Sequence, residues 1–139
     1  MKNKVIRILL IEDNPGDARL IQEMLSEGGD GRFEVEVVGR LSAGLEHLEQ
    51  EDIDLVLVDV VLLDLGLPDS SGLDTLVRVH TEAPDMPIVV LTGLADEAVS
   101  AEALRKGAQD YLVKGRVDSN VLVRAMRYST QSKGGGRHT

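Results

Sequence analysis

Side chains suited to metal and phosphate chemistry stand at, or just after, the ends of the chain's short apolar runs. Glu12 and Asp13 follow the first run, Asp64 the third, Thr92 the fourth and Lys114 the fifth. Clustered carboxylates repel one another and do not all ionise unless a cation joins them, and Mg²⁺ takes carboxylate, water and phosphate oxygens as ligands. A remaining carboxylate can attack phosphorus, and an ammonium group offsets charge on the transferred group. These residue types therefore fit phosphoryl transfer to a carboxylate.

Strands and helices that alternate along the chain would bring these side chains together. Near-continuous apolar runs predict strands covered on both faces, at Val5–Ile11, Phe33–Val38, Ile53–Leu63, Pro87–Leu91 and Tyr111–Val113. Segments with helical periodicity separate them, and the fifth begins at Asp118 or Ser119 with an inward stripe of Val121, Leu122, Ala125 and Met126. This βαβ alternation predicts a doubly wound parallel sheet, whose ligands bind at the carboxyl ends of the strands.

Length and composition limit the class of protein. We expect one α/β domain at residues 4–132 and a disordered tail at residues 133–139, which contains three consecutive glycines. The net charge of −9 repels phosphate backbones and anionic lipids, so we expect no direct nucleic-acid or membrane partner. The chain has no cysteine, which excludes disulfides and thiolate metal sites and is compatible with the cytoplasm, where we expect the protein.

Four segments together point to a known family. They read ILLIEDNP from Ile8, VLLDLGLPDSSG from Val61, IVVLTG from Ile88 and GAQDYLVK from Gly107. In this order and at these spacings they resemble the receiver domains of response regulators in two-component signalling, from Lys4 to about Ser132. The resemblance implies a flavodoxin-like (βα)5 fold, with a five-stranded parallel sheet of strand order 2-1-3-4-5.

The resemblance also implies the roles of the acidic residues. Glu12 and Asp13 would hold Mg²⁺, and Asp64 would both bind the metal and accept a phosphoryl group from a histidine kinase or phosphotransfer protein. The backbone carbonyl of Gly66 would be a further metal ligand. The chain would catalyse only its own phosphorylation and dephosphorylation, so it is not expected to be an enzyme in the ordinary sense.

The remaining implied roles concern the switch. Thr92 would hydrogen-bond the phosphoryl group, Lys114 would pair with it, and Tyr111 would turn inward as Thr92 moves. The fourth helix, fifth strand and fifth helix would form the face that binds a downstream target, a fused output domain or a second copy of the chain. One departure is Gly115, because the family usually has proline after the lysine.

A second departure leaves two candidate acceptors. Residues 54–64 contain a five-residue unit twice. Counted forward from the second helix, Asp59 falls at the acceptor position, whereas counting back from Pro68–Gly72 selects Asp64. We favour Asp64, since the downstream segment builds the phosphate loop, and we expect a longer connection or a bulge near residues 50–58. A slip of five residues reverses side-chain facing, so both aspartates cannot be equivalent.

Other functions share parts of this pattern. A degenerate receiver would be a phosphorylation-independent interaction module, which loss of an acidic residue, the threonine or the lysine would indicate. A haloacid dehalogenase-type phosphohydrolase needs Asp-x-Asp after the first strand and a cap domain, whereas the chain has Glu12-Asp13-Asn14. A flavin- or dinucleotide-binding protein needs a phosphate-cradling loop where these carboxylates lie. A single-domain regulator and a receiver from a longer protein both stay open.

Overall fold

Each of the predicted apolar runs supplies one strand of a five-stranded parallel sheet. The computed structural model describes residues 5–29, 32–49, 58–93 and 95–136. The sheet consists of β1 (Ile6–Ile11), β2 (Phe33–Val38), β3 (Val60–Leu63), β6 (Ile88–Thr92) and β7 (Asp110–Val113). Its order is β2-β1-β3-β6-β7, and every pairing is parallel. Taken in chain order, these strands have the predicted order 2-1-3-4-5, so the doubly wound flavodoxin-like fold is confirmed.

Five helices and one small hairpin complete the described part of the chain. The helices are α1 (Pro15–Gly29), α2 (Leu41–Glu49), α3 (Leu73–Glu82), α4 (Glu97–Arg105) and α5 (Ser119–Gly136). The hairpin pairs β4 (Gly66–Leu67) with β5 (Ser70–Ser71) in antiparallel fashion, and the sequence analysis did not predict it. None of the described helices is long and apolar enough to cross a membrane.

The helices cover both faces of the sheet because its strands are apolar on both sides. Alternate residues of β1 and β3 belong to two separate buried clusters. One cluster contains α2, α3 and α4, through Leu41, Leu76, Val79 and Ala103. The other contains α1 and α5, through Ile21, Leu25, Leu122 and Met126. All four residues of β3 are fully buried, which fixes this strand at the centre of the fold.

The structure differs from the sequence-based predictions in three respects, two of them element bounds and one the burial of a side chain. The third run was predicted from Ile53, but β3 begins at Val60, directly after Asp59, whose side chain accepts the Arg7 N–H. The longer connection predicted near residues 50–58 falls mostly on residues 50–57, which lie outside the described residues. Val121 is 40% exposed rather than inward, since only part of the α5 stripe faces the sheet. Helix α5 extends to Gly136, past residue 132, where the domain was predicted to end. The boundary between domain and tail stays a prediction.

The hairpin is joined to α2 by one carboxylate. Asp69 accepts hydrogen bonds from the backbone N–H groups of Leu41, at 2.7 Å, and Ser42, at 2.9 Å. These groups are the unsatisfied donors of the first turn of α2, so Asp69 caps that helix from a distant part of the chain. The Ser42 hydrogen bond, followed by the Leu41 bond, outweighs desolvation and lowers the pKa of the Asp69 carboxyl.

Asp69→Ala should therefore lower the free energy of unfolding at pH 7 by about 1 kcal/mol, the usual cost of losing a helix cap. A carboxyl whose pKa is lowered by folding stabilises the fold above its unfolded pKa and loses that effect as the pH falls. The difference from wild type should thus be nearly constant from pH 7 to about pH 5 and should shrink as the pH falls below about 4, the usual pKa of an unfolded aspartate. Urea unfolding measures it, with the exposed Asp85→Ala as the control. Equal stability of the two variants would contradict the capping role.

Candidate functional site

Three carboxylates meet at the carboxyl edge of the sheet. One oxygen each of Glu12, Asp13 and Asp64 lies within 4.8 Å of the others. The strand register causes this, because β1 pairs with β3 through Ile11 and Leu63, and the next residue of each strand belongs to the site. Glu12 is 3% exposed and Asp64 is 7% exposed, whereas Asp13 faces solvent. The structure therefore brings together the predicted acidic cluster, with oxygen ligands suited to a hard cation.

Lys114 reaches into this acidic cluster from the end of β7. Its Nζ lies 2.6 Å from Glu12 Oε1, 2.9 Å from Asp17 Oδ2 and 3.6 Å from Asp64 Oδ2. The backbone N–H of Lys114 donates to the carbonyl of Thr92 at 2.8 Å, which continues the pairing of β6 and β7 past their last residues. Both residues are thus held at the same edge as the carboxylates, as predicted.

The charges of the site depend on one another. Burial raises the pKa of the Glu12 carboxyl, and the neighbouring Asp64 charge adds to this, although hydrogen bonds from Lys114 and the Asn14 N–H act in the opposite direction. Burial disfavours the ammonium form of Lys114, but its hydrogen bonds to Glu12 and Asp17 and the charge of Asp64 outweigh burial and raise its pKa. Lys114 is therefore a cation at neutral pH, and among the described residues it is the main positive charge that balances the acidic cluster.

Thr92 and Tyr111 lie on the same face of the sheet. Tyr111 pairs with Val90, and Thr92 follows Val90 by two residues, so both point towards the face covered by α2, α3 and α4. Thr92 is 6% exposed, while Tyr111 is half-buried against that core. Burial, and then the charge of Asp96, raises the pKa of the Tyr111 phenol. The two predicted switch residues are thus neighbours in the sheet, and Tyr111 lies near the start of α4.

Asp59 lies at the opposite edge of the sheet from Asp64. Its backbone N–H donates to the carbonyl of Arg7 at 2.8 Å, and its Oδ2 accepts the Arg7 N–H at 2.8 Å. Asp59 immediately precedes β3 and Asp64 immediately follows it. The five-residue repeat therefore places one aspartate at each end of a single buried strand, and only Asp64 belongs to the acidic cluster.

Two glycines define the loops on either side of the site. The N–H of Gly66 donates to Asp64 Oδ1 at 3.3 Å, which orients the Asp64 side chain. The role of the Gly66 carbonyl as a metal ligand stays a prediction. Gly115 has a φ of 87°, in the left-handed region that favours glycine. Proline, whose φ is locked near about −65°, cannot adopt this conformation, so glycine suits the loop at position 115 and proline does not.

Asp17 contacts the site but was not among the residues predicted from the sequence. It lies in the first turn of α1, and its carboxylate accepts a hydrogen bond from Lys114 Nζ at 2.9 Å. An acidic residue in a first helical turn is ordinary, because the helix dipole favours it there. The two residues are 97 positions apart in the chain, and no local pattern links them.

Comparison with known proteins identifies the family to which this fold belongs. The profile of the response regulator receiver domain matches residues 8–127. The chain belongs to this family.

Its relatives include larger regulators. Regulatory protein LuxO of Vibrio cholerae serotype O1 is 34% identical over 105 residues, which cover 76% of this chain and 21% of LuxO. Cell cycle transcriptional regulator CtrA of Caulobacter vibrioides is 30% identical over 132 residues, which cover 93% of this chain and 52% of CtrA. The chain thus spans about a fifth of one relative's length and about half of the other's.

Solved structures support the same fold. A CheY-like response regulator receiver domain protein from Methanospirillum hungatei has a TM-score of 0.79 and 26% identity, and the match covers 96% of this chain and 99% of that one. A response regulator receiver domain protein from Clostridium thermocellum has a TM-score of 0.77 and 28% identity, with 94% of this chain and 98% of that one covered.

Proposed function

We propose that this chain accepts a phosphoryl group on Asp64 and uses it to switch a protein-binding face. The observation that carries the proposal is the position of Asp64, a buried carboxylate within one cluster with Glu12 and Asp13 and 3.6 Å from the Lys114 ammonium. Two buried carboxylates with a third beside them are costly unless cations balance their charge. Phosphoryl transfer gives this costly cluster a chemical role, whereas an interaction module that works without phosphorylation would not need the cluster.

The donor set fits Mg²⁺. Glu12, Asp13 and Asp64 supply carboxylate oxygens only, which are hard ligands, and Asp13 keeps one side of the cluster open to solvent. These three residues, with the carbonyl of Gly66, would hold the ion. When bound, Mg²⁺ would offset charge on the phosphoryl oxygens and on the carboxylates.

The residues of the chain would act by position and charge. An Asp64 carboxylate oxygen attacks phosphorus and forms an O–P bond, while the bond from phosphorus to the donor's leaving group breaks and its electron pair departs with the donor. The Lys114 ammonium offsets the charge of the transferred group, and the Thr92 hydroxyl donates to one of its oxygens. Hydrolysis reverses the modification: water attacks phosphorus, the bond from phosphorus to the Asp64 oxygen breaks and returns its electron pair to the carboxylate, and inorganic phosphate leaves.

The switch would involve Thr92 and Tyr111. A phosphoryl group adds roughly −1.5 to −2 charge at pH 7 and three acceptor oxygens. We propose that Thr92 moves towards this charge and that Tyr111, its neighbour on the same face, turns inward and alters the surface of α4, β7 and α5. A population shift of this kind requires that the phosphoryl group interacts more favourably with one of the two states than with the other.

The partners follow from this role. A histidine kinase or phosphotransfer protein would supply the phosphoryl group in the cytoplasm, and a target protein, an output domain or a second copy of the chain would bind the altered face. The net charge of −9 makes direct contact with nucleic acid or a membrane unfavourable. The receiver domain would span residues 4–132, and the tail proposed after it would begin with the last turn of α5, which extends to Gly136.

The test is phosphorylation of the wild-type chain by a small acyl phosphate. In the presence of Mg²⁺, intact-mass spectrometry should show the addition of one phosphoryl group, and a chelator should prevent it. The adduct should be labile to hydroxylamine, since an acyl phosphate reacts with it and a phosphoserine does not. A chain that folds but never takes phosphate would contradict the proposal and favour the interaction module.

A further inference from the structure

The ammonium of Lys114 is closer to Asp17 than to the proposed acceptor. Its Nζ lies 2.9 Å from Asp17 Oδ2, a hydrogen-bond distance, and 3.6 Å from Asp64 Oδ2, which is an ion pair only. Glu12 Oε1 takes a second hydrogen bond at 2.6 Å. Lys114 has three N–H donors, so two of them point to carboxylates that do not accept phosphate in the proposed reaction.

Local structure fixes Asp17 in this place. The backbone N–H of Asp17 donates to Asn14 Oδ1 at 2.9 Å, and the N–H of Asn14 donates to Glu12 Oε2 at 3.1 Å. Pro15 stands at the first position of α1, where its fixed φ suits the start of a helix. The start of the helix is thus tied to the acidic cluster, and Asp17 is presented to Lys114 by a rigid turn.

We propose that Asp17 is a positioning residue that holds Lys114 away from the acceptor and competes with the phosphoryl group for its ammonium. The inference rests on the proposed function. Asp17 then disfavours transfer because it withdraws the Lys114 counter-charge from the entering phosphoryl group. The side chain of Asp17 is 41% exposed, so water can replace Lys114 as its partner when the lysine moves.

The competition has a definite sign. In the unphosphorylated chain Lys114 is shared among Glu12, Asp17 and Asp64. A phosphoryl group on Asp64 offers several charged oxygens, and charge-assisted hydrogen bonds to such oxygens are strong. Removing the Asp17 charge frees one N–H of Lys114 for them. Asp17→Asn should therefore be phosphorylated faster and to a higher steady-state level than wild type.

The experiment measures phosphorylation by a small acyl phosphate with Mg²⁺ in wild type, Asp17→Asn, Lys114→Gln and the double variant. Asp17→Asn should raise the rate constant roughly threefold to tenfold, since a charge-assisted contact that is partly exposed has an intermediate strength. Asp74→Asn is the matched control, because it removes the same charge from the first turn of another helix, α3. It should change the rate by less than about twofold, as an exposed charge change does.

The double variant separates positioning from general electrostatics. If Asp17 acts through Lys114, Asp17→Asn has no effect on the rate when Lys114 is already Gln, which a merely structural role would not produce. Wild type that takes no phosphate refutes the proposed function itself. Wild type that does take phosphate, with Asp17→Asn equal to Asp74→Asn or slower than wild type, overturns the competition. So does acceleration that persists in the Lys114→Gln background.

Discussion

Asp64→Asn is expected to abolish the addition of phosphate, whereas Asp59→Asn leaves it unchanged. An amide is not a nucleophile towards phosphorus, so the loss in Asp64→Asn should be complete. Asp59 lies five residues earlier, roughly 16 Å away along a strand at about 3.3 Å per residue. Its carboxylate accepts the Arg7 N–H instead. Asp59 therefore lies at the opposite end of β3 from the site, too far away for the Lys114 ammonium to contact it.

The two variants form a matched pair, since each removes one charge at one end of β3. Asparagine at position 59 can still accept the Arg7 N–H through its amide oxygen, so Asp59→Asn should also keep the stability of wild type. Intact-mass spectrometry after treatment with an acyl phosphate and Mg²⁺ measures both variants. Phosphate on Asp64→Asn and none on Asp59→Asn would make Asp59 the acceptor and would require a different placement of β3.

Lys114→Gln should have the second large effect, on stability rather than on chemistry alone. The variant leaves Glu12, which is 3% exposed, beside Asp64 without their cation. Removing one partner of a buried pair typically costs about 3–5 kcal/mol, and the partial exposure of Lys114 reduces this to about 2 kcal/mol at pH 7 without divalent ions. Added Mg²⁺ should recover part of the loss by binding the folded state.

The pH dependence of the Lys114→Gln effect follows from the shifts in the site. The pKa of Lys114 is raised on folding, so its contribution in wild type is present through the neutral range and is lost only at alkaline pH. The pKa of Glu12 is also raised, by burial, and a protonated Glu12 needs no counter-charge. The loss of unfolding free energy in Lys114→Gln, relative to wild type, should therefore be largest near pH 8 and should become smaller towards pH 5.

Urea unfolding with and without Mg²⁺ measures this deficit. Lys106→Gln is the control, because Lys106 forms an exposed ion pair with Glu102 at 3.5 Å, and such pairs contribute about 0–1 kcal/mol. Equal losses in the two variants, or a loss in Lys114→Gln that Mg²⁺ does not reduce, would contradict the role of Lys114 as the counter-charge of the cluster.

The sequence was sufficient for the residues that strand ends position. Glu12, Asp64, Thr92 and Lys114 meet because parallel strands carry their final residues to one edge, and the order of apolar runs contains that information. Spacing left two candidates, Asp59 counted forward and Asp64 counted back, and favoured Asp64 only through the segment that follows it. The pairing of Ile11 with Leu63 distinguishes them, because it leaves only Asp64 beside Glu12.

The sequence was not sufficient for contacts between elements. Asp17 and Lys114 are 97 residues apart, and Asp69 and Leu41 are 28 apart, so no local pattern announces either hydrogen bond. Helix faces were predicted only approximately, as the 40% exposure of Val121 shows. Periodicity gives the inward side of a helix, but the neighbouring elements decide which residues at the margin of the stripe are covered.

The Asp69 cap links the loop that follows Asp64 to the first turn of α2. The loop that leaves Asp64 passes through β4, and the turn of the hairpin ends in a carboxylate bound to two backbone N–H groups of α2. A displacement of that loop must either pull the first turn of α2 along or break both hydrogen bonds. A displacement of the loop after Asp64 would thus reach α2, which packs with α3 and α4 on one face of the sheet.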